Sequence, residues 1–331
     1  MPPAPAPAPT LDRNALRTAV RALAGRGVFL GTSSWKYAGW LGQLYTPDRY
    51  LYRGRFAETR FERQCLAEYA EVFPTVCVDG AYYQFPTERQ LTGLAEQVPP
   101  DFRFTFKVTD EITLRKFPNL PRFGVRAGEL NPHFLDAERF ASAFLAPCKI
   151  LGDRVGVLIL EFSRFHPSDF SRGREFVAAL DAFLGRLPKG WRYGVEIRNR
   201  GFLHPEYFAM LARHGVAHVF NSWEAMPPLA EQLALPGAFP SPEFAAARLL
   251  LKPGRDYAQA VEQFAPYDRI QEEYPEGRSA AAELVRGVAE HAPHLPRTVY
   301  GYVNNRFEGN ALFTLLALLS QAGWLPSRAP D

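Results

Sequence analysis

The sequence has little of what would hold a protein together by cross-links or metals. Three cysteines (Cys65, Cys77, Cys148) stand in unrelated contexts, with no CxxC and no even-numbered framework. A disulfide scaffold is excluded and a reducing compartment is expected. The seven histidines form no HExxH and no Cys/His set, so zinc chemistry has no support. Charge of one sign is missing too: 38 basic residues face 35 acidic ones, for a formal net charge of +3. That balance does not by itself argue for a nucleic-acid partner. The most apolar run, residues 311–319, is far short of the roughly 20 residues that span a bilayer. No GxGxxG or GxxxxGK[ST] follows any strand-like run, and no GxSxG is present.

What is present is apolar and aromatic. Hydrophobic residues make up 47% and charged residues 22%, which excludes a mostly disordered chain. The opening residues, Pro-Ala alternation without a basic start, do not read as a signal peptide, and a soluble cytoplasmic protein without membrane contact is expected. They read as an extended tail instead. We take residues 1–26 as tail and leading segment, 27–325 as one barrel domain and 326–331 as a C-terminal tail.

Strand-like runs fall at 28–30, 75–79, 102–108, 155–160, 192–198, 217–221, 247–251 and 298–304. The run at 155–160 is continuously apolar, as a strand covered on both faces must be. Helical patterns follow at 60–72, 174–187 and 310–321, and Thr87 with Gln90 reads as a capping box. Eight strands, most followed by a helix, predict an α/β fold: a single (β/α)8 TIM-type barrel with a long aromatic loop after the first strand. The alternative is an open doubly wound sheet, which lacks its phosphate-binding glycines here.

In such barrels the chemistry sits at the C-terminal strand ends. Those ends carry Asp79, Lys107, Glu161, Glu196, Arg198, Asn221, Asn304 and Asn305, with Arg248 early on the seventh run. Glu196, Glu161 and Asp79 are the catalytic candidates: Glu196 as base or electrostatic partner, Glu161 as second carboxylate. Lys107, Arg198 and Arg248 suit an anion, perched near the start of the last helix, and Asn304 would orient it. Asn305, Asn221, Trp35 and Tyr83 complete the ligand-binding set. The plainer alternative is that these charges pair among themselves as structural ion pairs, and that the two Asn only cap the chain. No cofactor is expected. A Mg²⁺ held by the three carboxylates is the one metal option, and it needs waters to complete it.

The expected function is therefore a hydrolase-like enzyme acting on a small anionic or phosphate-bearing ligand. The alternative is a non-catalytic nucleic-acid-binding barrel using Arg49, Arg53 and Arg55 together with the basic stretch from Arg115 to Arg126. A glycosidase-like pair, Glu161 with Glu196, is a more distant option.

Several motifs carry a resemblance. Gly31-Thr32-Ser33-Ser34-Trp35-Lys36-Tyr37 with Trp40 and Gly42, then Tyr82-Tyr83-Gln84-Phe85-Pro86, Phe104-Thr105-Phe106-Lys107, Val195-Glu196-Ile197-Arg198, Asn304-Asn305 and Gly309-Asn310-Ala311, occur in this order. Together they resemble the YecE-like family, domain of unknown function 72, over roughly residues 28–320. The resemblance implies a TIM-type barrel and supplies no settled reaction. At fold level the family is similar to apurinic-site endonuclease barrels, which implies nucleic-acid binding, but those build a metal cluster from several His that this chain lacks. The chain departs from the commoner pattern at Val76-Cys77-Val78-Asp79-Gly80, at Ile112-Thr113-Leu114 and at Glu161, as a subfamily would.

Overall fold

The computed structural model describes residues 10–325. The Pro/Ala-rich opening residues and the C-terminal tail lie outside the described residues.

Eight barrel strands form in chain order: Val28–Thr32 (β1), Thr75–Val78 (β2), Arg103–Lys107 (β3), Val155–Phe162 (β4), Tyr193–Ile197 (β5), Ala217–Ser222 (β6), Phe244–Leu249 (β7) and Thr298–Val303 (β8). They pair in parallel, in the order β1-β8-β7-β6-β5-β4-β3-β2. Helices return the chain between them, among them Glu58–Val72, Glu88–Ala95, Gly173–Arg186, Pro205–His214 and Ala311–Gln321. The arrangement is a (β/α)8 TIM-type barrel. Among the described residues, no helix is long and apolar enough to cross a membrane.

Side chains alternate across each strand, and two apolar clusters record that alternation. Cys77, Val157, Ile159, Val219, Ala246, Tyr300 and Tyr302 form the inner cluster, within the barrel. Their strand neighbours Val76, Leu158, Leu160, Phe220, Ala247 and Val303 belong to the outer core beneath the helices. The parity places Asp79, Lys107, Glu161, Glu196, Asn221 and Arg248 on the inner face, one step further toward the C-terminal end.

The ring closes between β1 and β2, the two ends of the pairing order. Tyr69, from helix Glu58–Val72, spans this seam. Its buried hydroxyl accepts from the Thr32 amide (3.0 Å) and donates to the Thr75 carbonyl (3.0 Å). Gly31 allows the approach: a Cβ there would lie 2.2 Å from the Thr75 carbonyl oxygen.

The leading segment before β1 packs on the barrel. Residues Arg13–Ala24 form a helix capped by Asp12, whose side chain accepts from the Ala15 amide. Leu16, Ala19, Val20 and Leu23 give it a buried stripe at helical spacing, joined to the barrel's outer core. The capping box at Thr87 and Gln90 is present in both halves.

The aromatic loop after β1 is mostly packing. Trp40, Tyr45 and Tyr50 are buried, with Tyr45 and Tyr50 set edge-on against Phe61. Buried Glu68 anchors it, accepting from the Thr46 amide and hydroxyl and from the Tyr50 hydroxyl. The two-stranded ribbon of Leu51–Tyr52 and Arg55–Phe56 stands exposed.

His218, on the outer face of β6, is buried with Nδ1 3.1 Å from the Tyr207 hydroxyl. Burial pushes its pKa down from 6.5 to about 3, so it is neutral in the fold. The unfolded chain takes up that proton first. Stability from this residue is therefore complete above pH 6.5 and declines as pH falls toward 3. The loss is on the order of 4 kcal/mol over that window. In urea denaturation at pH 7, 5 and 4, His218→Phe is expected to show a shallower acid slope than the parent. An unchanged slope would remove His218 from the acid response.

Candidate functional site

The barrel mouth gathers charges from five strand ends into one hydrogen-bonded cluster. Arg248, on β7, is its centre and is 2% exposed. Its Nη1 lies 2.8 Å from Glu196 Oε2 and 3.1 Å from Glu161 Oε2, and its Nη2 lies 2.9 Å from Asp79 Oδ1. Arg198 Nη2 sits 2.6 Å from Glu196 Oε1 and 3.1 Å from Glu161 Oε2. Lys107 Nζ adds a contact of 2.8 Å to the same Glu161 oxygen.

The sequence reading set the seventh strand at 247–251, which left Arg248 near its start. The strand runs instead from Phe244 to Leu249, so Arg248 is its penultimate residue, level with Asn221 on β6 and Tyr302 on β8. The run Ala245-Ala246-Ala247 masks the strand, because alanine has weak β preference. Ala246 faces the barrel interior beside Tyr300 and Tyr302, while Ala245 and Ala247 face the outer core.

Glu161 and Glu196 are cross-strand partners, two like charges side by side on a buried face. That placement is destabilising unless cations lie between them. Burial raises the Glu161 pKa, but Lys107, Arg198 and Arg248 outweigh it and hold the carboxyl well below the usual range. Glu161 is therefore a fixed carboxylate and not a proton donor. Burial, then the neighbouring Asp79, pushes the Cys77 thiol far up, so it stays protonated beneath the cluster.

Aromatic faces complete the cations' surroundings. Lys107 Nζ lies 3.5 Å from the Tyr82 ring centroid, and the Arg198 guanidinium 3.8 Å from that of Trp223. Neither ring was assigned to the site from sequence. Tyr82 stands in the sequence only as part of the motif Tyr82-Tyr83-Gln84-Phe85-Pro86, and Trp223, one residue past β6, carries no local signal. Three carboxylates meet three cations, so the cluster is formally neutral. Its members differ in access: the Asp79 side chain is 30% exposed and that of Lys107 13%, whereas Glu196 is closed off. Not every donor is used. Among the described residues, Arg198 Nε and Nη1 and Arg248 Nε are buried without an acceptor, and Asn221 Oδ1 is without a donor.

Asn304, Asn305, Tyr83 and Trp35 make no hydrogen bond to the cluster. Asn304 Oδ1 accepts from the Arg306 amide and Asn305 Oδ1 from the Ala311 amide, so both cap the chain. Asn310 takes the amides of Leu312 and Phe313. The first three amides of helix Ala311–Gln321 are thus occupied, which corrects the expectation that this helix start is open to an anion. Tyr83 is 64% exposed with the Arg122 guanidinium 5.0 Å from its ring. Trp35 lines a separate cleft between two helices.

The basic stretch after β3 is half neutralised in place: among the described residues Arg115 and Lys116 are in no ion pair. Arg122 bonds Asp110, and Arg126 and Arg139 bond Glu111. Among the described residues no group of three or more His, Cys, Asp or Glu side chains is arranged to hold a metal ion. A Mg²⁺ at Asp79, Glu161 and Glu196 does not fit this arrangement, because it would stand beside three fixed cations on carboxylates already matched.

No curated protein matches the chain. Among solved structures it is similar to a DUF72 family protein from Enterococcus faecalis V583, with 17% identity and a TM-score of 0.59, covering 92% of this chain and 100% of that one. It is also similar to a DUF72 family protein from Thermotoga maritima MSB8, with 21% identity and a TM-score of 0.57, covering 89% and 99%. At these identities the likeness concerns the fold. The family profile described as "Protein of unknown function DUF72" matches residues 29–330, and the chain therefore belongs to the DUF72 family.

Proposed function

We propose that the barrel mouth binds a small anionic ligand, a phosphate or carboxylate, and that the protein is a hydrolase-like enzyme acting on it. The observation that carries this reading is the set of unused donors on Arg198 and Arg248, beside the accessible ammonium of Lys107. Buried guanidinium N–H groups without acceptors are costly, and an oxyanion supplies those acceptors. The roles differ from the sequence expectation. Glu196 and Glu161 orient and charge-balance the two guanidinium groups. Asp79, the carboxylate that water reaches, is the base. A glycosidase-type pair has less support, since Glu161 held ionised cannot act as the acid. A nucleic-acid surface also has less support, since Arg122, Arg126 and Arg49 are already paired. The buried free cysteines fit a reducing, cytoplasmic setting.

The test is titration of the full chain with inorganic phosphate, followed by turnover of a panel of phosphate monoesters. Phosphate is expected to bind saturably, and Lys107→Ala to weaken it about tenfold. Asp79→Asn is expected to reduce turnover by about 10²-fold or more with phosphate affinity kept. Absence of phosphate and carboxylate binding, or equal affinity in Lys107→Ala, would reject the reading.

A further inference from the structure

Outside the barrel, over β2 and β3, helices Glu58–Val72 and Glu88–Ala95 leave a cleft of about 590 Å³. Its volume lies in the range of small-molecule sites. The second helix faces it with Gln90, Gly93 and Leu94, a stripe at helical spacing, and Gln97 follows in the turn after the helix. Leu66, Leu91 and Phe106 form the apolar floor.

Three features make this more than a packing gap. Trp35 is nine-tenths buried in the wall, at 7% exposure, and its indole Nε1 has no acceptor among the described residues. Gln97 Nε2 is spent on the Gly93 carbonyl at 2.7 Å, while its buried Oε1 has no donor. The rim carries Lys36, Arg63 and Arg89 against Glu62, and among the described residues none of the three cations is in an ion pair. A buried indole N–H without an acceptor asks for one, and a cationic rim outside any ion pair, with Lys36 Nζ 5.7 Å from the Trp35 ring centroid, asks for an anion. Gly93 adds the space, since a Cβ at that position meets nothing within 4 Å.

We infer that this cleft is a binding site for a small organic carboxylate with an apolar body of one or two rings. The body lies on the leucines and Phe106, an acceptor oxygen takes the Trp35 N–H, and the carboxylate faces the cationic rim. The site is separate from the barrel mouth: the two share no side chain, and the inference stands whatever the mouth binds.

The probe is naphthalene-2-carboxylate, titrated calorimetrically into the full chain, with naphthalene-2-carboxamide as the uncharged control. The carboxylate is expected to bind at one saturable site, with the carboxamide at least tenfold weaker. Gly93→Leu fills the cleft from a helix position where leucine is the better helix former, so it should abolish binding while thermal stability is kept or raised. Arg63→Glu with Arg89→Glu, both exposed, should weaken the carboxylate at least tenfold and leave the carboxamide unchanged. No binding of the carboxylate, equal binding of the carboxamide, or unchanged affinity in Gly93→Leu each overturns the inference. The last outcome would place the probe elsewhere, the barrel mouth included.

Discussion

Arg248→Met is expected to lower folding stability by about 3–5 kcal/mol, measured by urea denaturation at neutral pH. The residue contacts all three carboxylates of the mouth, and Glu196 and Glu161 are buried beside each other. Methionine replaces the volume but leaves those charges short of a counter-ion in a place water hardly reaches. Part of the loss should return in the double variant with Glu196→Gln, which removes one of the two adjacent charges and keeps its shape. Arg248→Lys should fall between parent and Met. It keeps the charge, but a single ammonium cannot span three carboxylates as a planar guanidinium does. A loss under about 1 kcal/mol for Arg248→Met would mean that the cluster is hydrated like a surface ion pair and does not structure the mouth.

The second large effect lies at the barrel seam. Gly31→Ala is expected to destabilise by about 3 kcal/mol, at the upper end of overpacking effects. The obstacle is the backbone carbonyl of Thr75 on the neighbouring strand, 2.2 Å from the new Cβ, and not a side chain able to rotate away. The strands must separate, and the Tyr69 hydroxyl that bridges Thr32 and Thr75 loses at least one partner. Gly201→Ala is the control, because a Cβ there meets nothing within 4 Å. It should stay within about 0.5 kcal/mol of the parent in the same thermal or urea assay. Equal stability of the two variants would show that β1 and β2 move apart without penalty.

Both expectations draw on what alternation within a strand makes visible. Val155 to Leu160 is an apolar run that only a strand buried on both faces tolerates, and it forms β4. From such runs the barrel could be read, and with it the rule that its chemistry gathers at the C-terminal strand ends. Asp79, Lys107, Glu161 and Glu196 follow inward-facing neighbours by two residues, so their common rim was legible. Arg248 was found in the right group at an uncertain depth, because the three alanines before it carry no strand signal of their own.

What the chain alone determined is thus the fold, the identity of the charged side chains and the face each strand turns inward. These are local properties, set by residue type and a two-residue period. The pairing of the charges was decided only in three dimensions. Glu161 meets Lys107, Arg198 and Arg248 from three different strands, and Asp79 reaches Arg248 across 169 residues of sequence. The capping of Asn304 and Asn305, the rings of Tyr82 and Trp223 over the cations, and the cleft beside Trp35 have the same origin. Each depends on how far apart closed strands and packed helices come to rest, a distance that no spacing along the chain encodes.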